Sequence, residues 1–248
     1  MNYDFIFRSR RSNILSRNGM VAASQPLATL AGLDMLRKGG TAADAAIAMA
    51  ATLNVVEPFS TGIGGDCFAL YWDAKEKKVH ALNASGPAAK RSSIQEIVDE
   101  GYSQYPMWTG KSVSVPGSVA GWEALLSRFG RMTLKDVLLP AITYAQNGYP
   151  VSEWIAEGWS LMPLRLLRGS MLIDDDLALH ERRPGPFQSS GSEFLLGDRA
   201  PRAGEIMRLP TLAETLCNIA EGGSNYIYKG DFAHALCAHV QNYGGWLE

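Results

Sequence analysis

The sequence predicts a soluble α/β or α+β globular chain built mostly from capped helices, and three observations point there. First, 46% hydrophobic and 19% charged residues over 248 positions are enough to bury a sizeable core, as one large domain or two small ones. Second, apolar residues recur at helical spacing between Thr or Pro at one end and Gly at the other in several segments. Third, CFALYWDAKEKKVHALN alternates bulky and small residues on both sides of a polar connection, the pattern of a β-hairpin.

Charge and composition exclude several function classes. The net charge is -2, and basic residues cluster only at Arg8, Arg10, Arg11 and Arg17, so nothing holds a polyanion and no nucleic-acid partner is expected. The opening MNYDFIFRSRRSNILSRNG lacks the apolar run of a signal peptide, and no later run is long enough to span a bilayer. A cytoplasmic protein without a membrane partner is the expectation. Cys67, Cys217 and Cys237 show no close CxxC spacing, so buried reduced thiols are expected rather than disulfides or zinc ligands.

Along the chain, Pro26 opens a helix over about 26–38, with Leu27, Leu30, Leu33 and Leu36 as candidate packing residues and Gly39 as its stop. Thr41 stands three before Asp44 and caps the Ala-rich helix that Pro58 ends. A nucleophilic role for Thr41 is set aside, because cleavage there would leave too little chain upstream for a domain. In the hairpin, Phe68, Leu70 and Trp72 share one face opposite Val79 and Ala81. A short helix follows near IQEIVDEGY; SVSV reads as a strand-like entry to a helix burying Val119, Trp122, Leu125, Leu126 and Phe129. Thr133 and Asp136 cap the next helix, with Leu138, Leu139, Ile142 and Ala145 inward. Residues 164–208 read as surface loops or short helices, and capped helices return at Thr211 and Asp231.

Single motifs give no chemistry. Gly62-Ile63-Gly64-Gly65 follows a helix and precedes a strand, the reverse of a dinucleotide fingerprint. Thr109-Gly110-Lys111-Ser112 ends like a P-loop but has Tyr105 where the first glycine belongs. Ser60 lacks a GxSxG frame, and His80, His180, His234 and His239 lack metal-ligand spacing, so structural roles are expected for all four. Asp174, Asp175 and Asp176 read as a solvated helix start.

Several blocks together go further. MVAASQPLATLAGLDMLRKGGTAADAAIAMAATLNVVEPFSTGIGGDCFALYWD, then SVSVPGSVAGWEALLSRFGRMTLKDVLLPAITYAQNGYPVS, then LPTLAETLCNIAEGGSNYIYKGDFAHALCAHVQNYGGWLE resemble, in order, the large subunit of the γ-glutamyltranspeptidase (glutathione hydrolase) family. The resemblance covers about residues 19–248, read as a large-subunit portion incomplete at its C-terminus, with 1–18 as an N-terminal extension.

It implies an α+β fold, part of the αββα sandwich of the N-terminal nucleophile hydrolases and helix-rich in this portion. It also implies a precursor that cuts itself to expose a threonine, which attacks a γ-glutamyl carbonyl with its own α-amine as base. No threonine of this chain matches that nucleophile, so the catalytic residue is expected in a small-subunit or C-terminal partner portion and this chain alone is expected to be inactive. The implied substrate is a γ-glutamyl compound such as glutathione, with no metal or organic cofactor. Relatives place an arginine in the loop LNASGPAAKRSS to grip the substrate's α-carboxylate. Here that position is Asn83, and the neighbouring basic pair Lys90 and Arg91 offers a substitute, Arg91 being the candidate anchor. The departure leaves room for a non-glutamyl amide or acyl substrate, and a non-catalytic scaffold is the third expectation.

Overall fold

The computed structural model describes residues 12–106, 109–160, 192–197 and 199–248. The helices are α1 (Pro26–Arg37), α2 (Ala42–Val56), α3 (Ile94–Asp99), α4 (Ser118–Phe129), α5 (Leu134–Asn147), α6 (Glu153–Trp159), α7 (Pro210–Gly222), α8 (Ser224–Tyr228) and α9 (Asp231–Asn242). The strands are β1 (Cys67–Asp73), β2 (Lys78–Ala84), β3 (Tyr149–Pro150) and β4 (Ile206–Met207), paired antiparallel as β1-β2 and β3-β4.

The Ala-rich α2 is the centre of the main core. Ala43, Ala45, Ile47, Ala48, Ala51, Val55 and Val56 are all buried, against α1 on one side and α5 on the other. Small side chains let the backbones approach closely: a Cβ on Gly32 of α1 would lie 2.6 Å from Met49 Cγ. For the same reason α1 packs through Ala28, Ala31, Gly32 and Met35, while Leu30 is exposed and the other expected leucines are only partly buried.

Thr41 and Thr133 each form the expected capping box, with Asp44 and Asp136. In α5 the inward face is Val137, Leu138, Ala141, Ile142 and Ala145; Leu139 points to solvent, one residue off the stripe. Helix α7 does not cap itself through Thr211. The Thr211 amide instead donates to Glu193 Oε1 at 2.6 Å, a partner 18 residues upstream. SVSV is not a strand: Ser112 closes a short 3₁₀ turn and Val113–Val115 run extended without a ladder, Val115 N–H donating to the Pro87 carbonyl.

The chain between β3 and β4 includes the described part of the irregular stretch, a 3₁₀ turn at Ser192–Phe194 and a Leu196–Arg199 bridge. The acidic triplet Asp174–Asp176 and His180 lie outside the described residues. A second cluster joins Ala89, Ile97 and Tyr102 to Val240, Trp246 and Leu247, tying α3 to the C-terminal segment.

Candidate functional site

The hairpin positions the site. Its register pairs Phe68 with Asn83, Leu70 with Ala81 and Trp72 with Val79. The inner face, with Ala69, Tyr71 and Leu82, packs on the core, where Tyr71 stacks on Phe129 of α4 at 4.0 Å between ring centroids. The outer face is bare: Phe68, Leu70 and Trp72 are 67%, 79% and 58% exposed. Four large apolar side chains in a row, Val79 included, are more than a water-facing sheet normally shows.

At the end of this face three segments meet. The Gly65 carbonyl accepts the amides of Gly117 and Ser118 at 3.0 and 2.9 Å, satisfying donors at the start of α4. Ser118 Oγ donates to the Ile63 carbonyl at 2.7 Å, and Asp66 Oδ1 accepts the Gly86 amide at 3.2 Å. A Cβ on Gly86 would lie 1.3 Å from the Val115 carbonyl oxygen, and one on Gly117 would lie 2.0 Å from that of Ala84. The glycine turn, the loop after β2 and the start of α4 are thus locked backbone to backbone.

Two glycines of the turn itself stand in open space. Gly62 and Gly64 have ordinary backbone conformations and nothing within 4 Å of a would-be Cβ. Neither φ nor packing among the described residues demands glycine there, so a ligand or another chain segment can approach the backbone.

Asn83 stands on the exposed face opposite Phe68, its Oδ1 accepting the Ser85 amide at 2.9 Å. Arg91 is exposed and lies toward α3, where its charge helps to hold the Glu96 carboxyl low, behind the larger effects of hydrogen bonds from Lys111 and Trp246. Among the described residues no hydrogen bond or ion pair joins Asn83 to Arg91. The thiols are half-buried rather than buried, Cys67 packing on the core from the inner face of the hairpin. Burial pushes the Cys67 thiol up from its ordinary value. No helix among the described residues is long and apolar enough to cross a membrane.

The overall fold is shared with solved N-terminal nucleophile hydrolases. The cephalosporin acylase from Bacillus halodurans superposes with TM-score 0.83 at 38% identity, covering 100% of this chain and 44% of that one. The γ-glutamyltranspeptidase of Helicobacter pylori superposes with TM-score 0.81 at 28% identity, covering 94% of this chain and 63% of that one. The class is therefore the α+β fold of these hydrolases, of which this chain is a helix-rich portion.

The family model for gamma-glutamyltranspeptidase matches residues 28–248, and the chain belongs to that family. Among curated relatives, the glutathione hydrolase-like YwrD proenzyme of Bacillus subtilis is 35% identical over 240 residues, 95% of this chain. The chain spans 41% of that relative's length.

The locked junction was missed at the sequence level. Its only signal was the recurrence of Gly-Pro and Pro-Gly at Gly86-Pro87 and Pro116-Gly117.

Proposed function

We propose that the complete protein cleaves γ-glutamyl amides such as glutathione through an acyl-enzyme on an N-terminal threonine carried by a C-terminal portion. The threonine hydroxyl attacks the γ-carbonyl and its proton passes to the residue's own α-amine. The tetrahedral intermediate then expels the amine product, which takes that proton, and leaves an ester. Water or an acceptor amine releases the acyl group and restores the hydroxyl. This chain supplies the scaffold and part of the substrate rim, through Asn83, Arg91 and the open Gly62–Gly64 backbone, and is silent alone. The family match over residues 28–248 carries the reading. The bare apolar hairpin face supports a partner portion that covers it.

A second reading, an acyl substrate without the amino-acid head group, is favoured by one observation. Identity to the cephalosporin acylase is 38% over the whole chain, against 28% to the γ-glutamyltranspeptidase. Asn83 in place of a charged anchor fits this reading, since an amide grips a carboxylate less strongly than a guanidinium does.

The deciding experiment compares kcat/KM of the complete protein for a γ-glutamyl anilide and for its 4-aminobutyryl analogue, which lacks only the α-carboxylate. Preference for the first supports the leading reading, and equal or better turnover of the second supports the acyl reading. Turnover of neither, with no partner chain beginning in threonine by N-terminal sequencing, makes the chain a scaffold.

A further inference from the structure

We propose that Asp73, Glu76 and His80, at the tip of the β1–β2 hairpin, bind a divalent transition-metal ion such as Zn²⁺ or Ni²⁺. The hairpin brings them together: Asp73 ends β1 opposite Lys78, Glu76 lies in the connection, and His80 stands in β2 opposite Tyr71. One donor atom from each lies within 4.8 Å of the other two.

The histidine points to a ligand independently of the carboxylates. Its side chain is only 9% exposed, and its Nε2 is buried with no hydrogen-bond partner. Glu76 Oε2 is 3.0 Å away but off the direction a hydrogen bond requires. Two donors on one ion with bonds of ~2.1 Å are separated by ~3.4 Å at the tetrahedral angle of zinc and by ~3.0 Å at the right angles of a square nickel-like site. The offset therefore suits a shared ion better than a shared proton. Asp73 Oδ1 accepts the amides of Lys75 and Glu76 at 2.8 and 3.3 Å, which fixes the carboxylate and leaves its second oxygen for the ion. Phe129 packs against the imidazole at 5.2 Å and sets the ring's direction.

One imidazole and two carboxylates select a zinc-like or nickel-like ion over Mg²⁺ or Ca²⁺, which take oxygen ligands throughout. Water fills the remaining positions. Lys75, Lys77 and Lys78 surround the turn and oppose any cation, so binding is moderate in strength. Arg128 is the direct competitor. Its guanidinium lies 2.9 Å from Nδ1 and donates to it, placing the ring proton of the metal-free protein on Nε2. On binding, Nε2 gives that proton to solvent and its lone pair to the ion. Nδ1 takes a proton from solvent, and the exposed Arg128 side chain turns away. Proton number is conserved and no redox step occurs.

The test is calorimetric titration of Zn²⁺ into the complete protein, with Mg²⁺ as the control ion, for the native sequence and for His80→Gln, Glu76→Gln and Arg128→Met. The expected result is one Zn²⁺ per chain, weakened at least about tenfold in the first two variants and strengthened in the third, with Mg²⁺ silent. Because His80→Gln disturbs packing on Phe129, circular dichroism checks its fold. Glu76→Gln, on an exposed turn, provides the independent readout. No Zn²⁺ binding, binding retained in either ligand variant, or weaker binding in Arg128→Met overturns the site.

Discussion

The carboxylate of Asp44, fully buried at 0% exposure, accepts the backbone amide of Arg131 at 3.1 Å, 87 residues along the chain. The Met132 amide adds a bond at 3.2 Å, and the Thr41 amide and hydroxyl add bonds at 2.6 and 3.0 Å. A buried charge is tolerated because these N–H and O–H groups replace its water. One side chain thus caps α2 and also fixes the turn between α4 and α5. Asp44→Asn should destabilise the protein by about 2–4 kcal/mol, since the amide repels donors that the carboxylate accepted. Urea denaturation checks it, and a loss under about 0.5 kcal/mol would mean the donors find water instead.

Lys111 connects α3 to the C-terminal segment and gives the fold an acid-sensitive joint. It is 5% exposed, with Nζ 2.7 Å from Glu96 Oε1 and 2.8 Å from Glu100 Oε1, and it lies over the Trp246 ring. Hydrogen bonds from Lys111 and then Trp246 hold the Glu96 carboxyl below its ordinary range. Burial pulls the Lys111 ammonium down, but its bonds to Glu100 and Glu96 outweigh that and leave it raised. The Glu96 contribution is therefore complete above its unfolded value of roughly 4.3 and fades as pH falls through the lowered folded one. The Lys111 contribution is complete below roughly 10.4 and fades as pH rises through the raised value. Glu96→Gln should lower Tm at pH 7, and the gap to the native protein should close in acid. A gap that is constant with pH would remove Glu96 from this role.

Arg91, exposed in the loop after β2, is the proposed substitute anchor for the substrate's α-carboxylate. In the complete enzyme Arg91→Ala should raise KM for a γ-glutamyl anilide about tenfold or more with little change in kcat, the loss of a charged hydrogen bond made equally in ground and transition states. An unchanged KM would dismiss Arg91 and leave Asn83 alone on the proposed rim.

What the sequence made legible was local. Thr41 with Asp44 and Thr133 with Asp136 could be read as capping boxes because cap and partner stand three residues apart. That Asp44 also serves Arg131, or that Glu193 caps α7, depends on contacts across the fold that no window contains. In α1 leucine spacing suggested the wrong face, since the neighbouring α2 is made of alanines and favours Ala28, Ala31 and Gly32 at the contact. The site divides the same way. The glycine turn was visible in the chain, but its lock to Val115 and the meeting of His80 with Glu76 and Asp73 follow from loop packing and hairpin register.

Gly86 tests the lock directly. A methyl group there would occupy the Val115 carbonyl oxygen at 1.3 Å, so the backbone itself must move. Gly86→Ala should cost about 3 kcal/mol or more, beyond the usual effect of a loop substitution, and should loosen Gly65 from the start of α4. Gly62→Ala, with nothing within 4 Å, is the matched control and should stay within about 0.5 kcal/mol. Denaturant unfolding and amide exchange at Gly117 and Ser118 report both effects; equal stabilities in the two variants would show that the junction yields easily.

The outer hairpin face separates folding of this chain from its assembly. Phe68, Leu70, Trp72 and Val79 contribute little to the fold described here because they remain in water. Covered by a partner portion, each would add at most roughly 1.5–3 kcal/mol to assembly, because part of each is already covered. Leu70→Thr with Trp72→Thr keeps two strand-forming residues while removing most of that apolar area. The double variant should melt near the native temperature when this chain is made alone and should self-associate less by sedimentation velocity. Co-expressed with the rest of the protein, it should recover less of the assembled form. Undiminished assembly would mean that the partner portion covers another surface; a large drop in Tm for the chain alone would mean that these side chains are part of its own core.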